Sequence, residues 1–117
     1  MGVSVYYTCE RDHIVTDNEA YEITAIINKY NDGFELNDIA ESFFVYTYDL
    51  DQPTVIFKGS TKLPLTNNFE DSVYALFYWL DCLTDIRRTI FDGSWHVHLD
   101  GTEAAWDEEA GWYMPKG

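Results

Sequence analysis

Two stretches of helical periodicity, each opened by a capping box and each flanked by strand-like segments, constrain this chain more than any other feature. The first box is Thr16-Asp17-Asn18-Glu19. There the Thr16 hydroxyl can accept from the Glu19 amide while the Glu19 carboxylate reaches back. Ala20, Ile23, Ile26, Ile27 and Tyr30 follow at helical spacing, and Gly33 suits the left-handed position just past a helix end. The spacing predicts a helix over 17–31. The second box is Asn67-Asn68-Phe69-Glu70, with Asn as the cap. Val73, Leu76, Phe77, Leu80 and Leu83 or Thr84 form an apolar stripe, widened by Tyr74, Tyr78 and Trp79. This helix should run to about residue 90, with Arg87 and Arg88 complementing the dipole in its last turn and Asp92-Gly93 ending it.

The segments between the helices read as strands. Residues 3–8 alternate around Val3, Val5 and Tyr7. Residues 42–49 are dense in Phe, Val, Tyr and Thr, and with residues 54–58 they predict a hairpin turning at 50–53. Residues 94–99 alternate strictly, with Trp95, Val97 and Leu99 on one face and His96 and His98 on the other. Asp100-Gly101 signals a type I′ hairpin into a strand over 102–106. A turn over 107–111, with Gly111 available for positive φ, leads to a last strand at 112–114. The order β-α-β-β-α-β with a β-hairpin extension predicts an α+β chain, a ferredoxin-like two-layer sandwich in a single domain over 1–117. A permuted α+β sandwich reads the same way.

Composition narrows the function classes. Seven Lys+Arg stand against 21 Asp+Glu, a formal charge of −14. That balance argues against nucleic acid and anionic membranes, which both need Lys and Arg. An apolar share of 46% argues against disorder. The N-terminal residues carry no basic and apolar signal-peptide pattern, so a cytoplasmic protein with two reduced thiols, Cys9 and Cys82, is expected. No GxSxG, Walker loop, GxGxxG or HExxH occurs, so no cofactor is expected and an enzyme is unsupported.

Three clusters could carry chemistry. His96, His98 and Asp100 share one face of a strand, and Glu103 follows. Two imidazoles and a carboxylate there could converge on a metal ion. The HxH-x4-E spacing superficially resembles the metal motif of the cupin family over these few residues, without that family's many-stranded barrel or its further His. The plain alternative is a solvated strand face. Cys9 with His13 could form a nucleophile pair, against a buried Cys at a strand end. Finally, residues 100–113 place Trp106, Trp112 and Tyr113 among Asp100, Glu103, Asp107, Glu108 and Glu109, with no Lys or Arg in the segment. Aromatic anchors with a charged rim are interface chemistry, and an acidic rim selects and steers a basic partner. The alternative is core tryptophans beside a solvated turn.

These readings predict a non-enzymatic protein-binding module for a basic protein partner, contacted through Trp106, Asp107, Glu108, Glu109 and Trp112. Small acidic bacterial immunity proteins resemble this chain in size, charge and aromatic content. A metal-binding domain or metal-dependent enzyme using His96, His98, Asp100 and Glu103 is the first alternative. A self-associating homodimer, through a sheet edge or the Trp-rich extension, is the second.

Overall fold

The computed structural model describes residues 4–11, 16–35, 55–63, 69–90, 92–99 and 101–114. Strand β1 (Ser4–Glu10) leads to helix α1 (Asp17–Gly33), then β2 (Val55–Lys62), helix α2 (Phe69–Thr89) and β3 (Ser94–Leu99). Three short strands follow, β4 (Thr102–Glu103), β5 (Ala105–Asp107) and β6 (Gly111–Tyr113). The expected strand over 102–106 is thus two strands with Ala104 between them. The amide of Ala104 donates to the Val97 carbonyl at 2.8 Å while β5 leaves to pair with β6.

The four-stranded sheet is antiparallel in the order β2-β1-β3-β4, and β5 and β6 form a separate two-stranded sheet. This α+β architecture with two helices follows the expectation. The described strand order differs from that of a complete ferredoxin-like sheet, and the expected strand 42–49 and turn 50–53 lie outside the described residues. The strand expected over 54–58 is longer, continuing to Lys62 because β1 pairs with it over its whole length.

One face of the sheet is the core. Val5, Tyr7 and Cys9 of β1 and Trp95 and Val97 of β3 are buried, while the alternate residues of both strands turn away. Helix α2 packs Ala75, Trp79, Leu80, Cys82, Leu83 and Ile86 against them, joined by Ile90 just past its end. Its buried stripe is rotated from the expected one. Trp79 is fully buried at its centre, whereas Phe77 is 53% exposed. The large indole takes the deepest position, where it removes most apolar area from water.

Helix α1 begins as its capping box requires. The Thr16 hydroxyl accepts from the Glu19 amide at 3.1 Å, and Glu19 accepts from the Thr16 amide at 2.9 Å. It ends two residues later than expected, and Gly33 is not in a left-handed conformation. Gly33 serves close approach instead, since a Cβ there would stand 3.0 Å from the Tyr78 hydroxyl. That hydroxyl donates to the Tyr30 carbonyl at 2.6 Å, and the Tyr30 hydroxyl donates to Asp85 at 2.7 Å, tying the helices together. The cap of α2 at Asn67 lies outside the described residues. Gly101 and Gly111 do take positive φ, at 79° and 86°, as their turns predicted. Among the described residues no helix is long and apolar enough to cross a membrane.

Candidate partner-binding surface

The β5–β6 ribbon is seated on α2 by one threonine. The Thr84 hydroxyl donates to the Leu80 carbonyl one turn back at 2.8 Å and accepts the Trp112 amide at 3.0 Å. A helical Ser or Thr can always make the first bond. Here the same oxygen also anchors a strand, by accepting from its backbone. Gly111 lets the strand come this close, because any Cβ there would fall 2.5 Å from Thr84.

Trp112 is 6% exposed and belongs to the core cluster. This corrects its expected place among the contact residues: it is the foot of the ribbon, not its surface. Its indole N–H has no hydrogen-bond partner among the described residues. Trp106 packs edge-on against it, with ring centroids 5.5 Å apart, and is half-buried. Asp107, Glu108 and Glu109 are exposed. Asp107 accepts the Ala110 amide at 2.9 Å, which fixes the turn, and Glu108 accepts the Trp106 indole N–H at 3.2 Å.

The segment's lack of cations in sequence does not hold in space. The Arg87 guanidinium lies 4.3 Å from the Trp106 ring centre and 4.9 Å from that of Trp112. Arg88 lies 5.9 Å from Trp106 and donates to the carbonyls of Glu108 and Glu109, each at 3.3 Å. Cation–π contact and these bonds brace the ribbon from the last turn of α2. Burial draws Arg87 below the usual guanidinium range, while Glu108 acts in the opposite direction. The ribbon therefore presents a fixed turn with three exposed carboxylates beside a half-buried indole.

The histidine strand places its residues as the alternation predicted. His96 is exposed and His98 half-buried, on the face opposite Trp95 and Val97. Register sets His98 opposite both Tyr6 and Glu103, and the Tyr6 and His98 rings stack at 5.1 Å. A ring nitrogen of His98 lies 3.1 Å from the Leu99 carbonyl. Asp100 is outside the described residues, and among those described no three His, Cys, Asp or Glu side chains gather as metal ligands do.

Cys9 is fully buried, and desolvation pushes its thiol up to about 12, with Arg11 as the opposing influence. A thiol so placed stays protonated at neutral pH, which weighs against the nucleophile reading and for the buried Cys at a strand end. His13 lies outside the described residues. Cys82 is likewise a free, buried thiol raised by burial.

One ionic site was not signalled in the sequence. Arg11, 7% exposed, donates to Glu19 at 2.6 and 3.0 Å and to Asp92 at 2.9 Å. It joins the end of β1 to the first turn of α1 and to the loop before β3. These bonds hold the Glu19 carboxyl down at about 2, the Arg11 contact being the largest cause and the Thr16 amide the next. Nothing local marks it, because its partners are 8 and 81 residues away. Comparison with protein-family models, curated proteins and solved structures found no match to this chain.

Proposed function

We propose that this chain is a non-enzymatic binding module of inhibitor or immunity type, which captures a basic protein on the turn between β5 and β6. The observation that carries the reading is the turn itself: Asp107, Glu108 and Glu109 are exposed beside Trp106, on a ribbon seated on α2. A preorganised turn loses little entropy on binding, and its charge accelerates encounter with a cationic surface. Trp106 supplies the apolar contact that charge alone lacks. The scaffold we infer is ferredoxin-like, supported by β1 lying between β2 and β3, as the first strand of a βαββαβ chain lies between its third and fourth.

The test is affinity capture from native lysate with the wild-type chain and with the triple variant D107N/E108Q/E109Q. The wild type should retain a basic protein that elutes as salt rises, and the variant should not. Retention of acidic proteins only, indifference to salt, or equal capture by the variant would reject the reading.

A further inference from the structure

We infer that the rings of Trp106 and Trp112 form a cage for a guanidinium group, filled in this structure by the chain's own Arg87 and taken on binding by an arginine of the basic partner. The inference deepens the proposed function and rests on it. Register pairs Trp106 with Trp112 across the ribbon, so both rings leave the same face, toward α2. They meet edge to face, with planes 67° apart and centres 5.5 Å apart. The Arg87 guanidinium stands 4.3 Å from one centre and 4.9 Å from the other. Glu108, at the rim, accepts the Trp106 indole N–H and supports the charge of Arg87. Two rings and a carboxylate around one point are the chemistry that recognises a cation.

The way Arg87 is held makes it exchangeable. Arg11 and Arg88 both use their N–H groups. Arg11 donates to Glu19 and Asp92, and Arg88 donates to the carbonyls of Glu108 and Glu109. Among the described residues Arg87 makes no hydrogen bond, although the chain carries 21 acids, and its contacts are the two rings. Burial also works against its charge. An arginine arriving from solvent gains the same rings. It gains as well charge-assisted bonds to the exposed carboxylates of Asp107, Glu108 and Glu109, which Arg87 does not make. The cage is open to this exchange, because Trp106 and Arg87 are both half-buried. The long stem of Arg87 lets its head swing into water.

The same chemistry favours guanidinium over ammonium. A planar, weakly hydrated guanidinium stacks on a ring and forks onto a carboxylate, whereas a lysine ammonium is a strongly hydrated point charge. Occupancy by Arg87 sets how tightly the cage binds. If Arg87 fills it about nine-tenths of the time, the apparent affinity for an outside guanidinium is about tenfold below the intrinsic one. Arg87 is thus a built-in competitor, which favours partners that engage the acids as well as the rings.

NMR titration of the isotope-labelled full chain with a capped tri-arginine peptide, followed at the indole N–H signals of Trp106 and Trp112, tests this. Both signals should move. Arg87→Gln should bind the peptide about tenfold tighter than the wild type. Arg88→Gln makes the same change in net charge and should stay within about twofold of the wild type. Arg87→Lys keeps the charge and should bind about threefold tighter, which holds the test if the Gln variant loosens the ribbon. A capped tri-lysine peptide should bind about tenfold more weakly than tri-arginine. Equal affinity of Arg87→Gln and Arg88→Gln, an unmoved Trp106 signal, or no preference for arginine over lysine would overturn the inference. The two readings fail separately. Capture of a basic protein through the acids, with no gain from Arg87→Gln in the titration, removes the cage and keeps the binding module. Indole shifts with that gain, but no captured protein, remove the module and keep the cage.

Discussion

Gly111 is the residue on which the ribbon depends. Its φ of 86° disfavours any side chain, and a Cβ would meet Thr84 at 2.5 Å. Gly101 offers the matched control, with φ of 79° and no atom within 4 Å of the added carbon. Gly101→Ala should cost only the left-handed strain, about 1–2 kcal/mol. Gly111→Ala should cost about 3 kcal/mol or more, because steric displacement of Thr84 adds to the strain. Urea unfolding of the two variants compares them directly, and equal losses would mean that Thr84 moves freely. The thiols give a second prediction at this scale. With Cys9 pushed up to about 12 and Cys82 raised by burial, neither should react with a disulfide reagent at neutral pH until the chain unfolds. Rapid labelling of one thiol in the native protein would contradict its burial.

Elements meet through a few polar contacts whose loss should be measurable. Thr84→Val keeps the shape of the side chain but leaves the Trp112 amide without its acceptor. A loss of about 1–3 kcal/mol is expected, together with faster hydrogen exchange at Trp112. Unchanged exchange would show that β6 is held elsewhere. The Arg11 site predicts a pH dependence with a definite sign. Glu19 is held at about 2, below its ordinary 4.5, so its contribution is complete above pH 4.5 and is lost as pH falls toward 2. Glu19→Gln should lower stability by about 2 kcal/mol at pH 7 and flatten that acid limb. A variant that keeps the full wild-type slope between pH 4.5 and 2 would assign the effect to other carboxylates. The capping box half of this site was legible, because its two members lie three residues apart and act through local backbone. The Arg11 half was not, since only the fold brings Asp92 to Arg11. The same contrast explains the helices: periodicity located both. It could not say that Trp79 rather than Phe77 faces inward, because all of Tyr74, Phe77, Tyr78 and Trp79 are apolar enough to do so. The role of Gly33 is ambiguous in sequence for a similar reason, since a glycine near a helix end serves a cap and a close helix contact equally well.

Charge acts on the whole molecule, and the sequence showed its amount but not its arrangement. The segment 100–113 has no Lys or Arg, yet Arg87 and Arg88 lie against it from α2. Trp112, which looked like a contact residue, is where that contact with the helix is made. The acids of the turn are therefore only partly opposed, and their removal should reveal which task they serve. D107N/E108Q/E109Q removes three of the 14 net negative charges while its amide oxygens can still accept from the Ala110 amide and the Trp106 indole. If the acids serve recognition, the variant should melt at the wild-type temperature or slightly above it at low salt, because self-repulsion falls. The difference should fade at about 0.15 M salt and beyond, where the Debye length is about 8 Å. If they instead stabilise the ribbon through Arg87 and Arg88, the variant should melt lower at low salt and approach the wild type as salt rises. Differential scanning calorimetry across a salt series separates the two by the sign of the shift, with no partner needed.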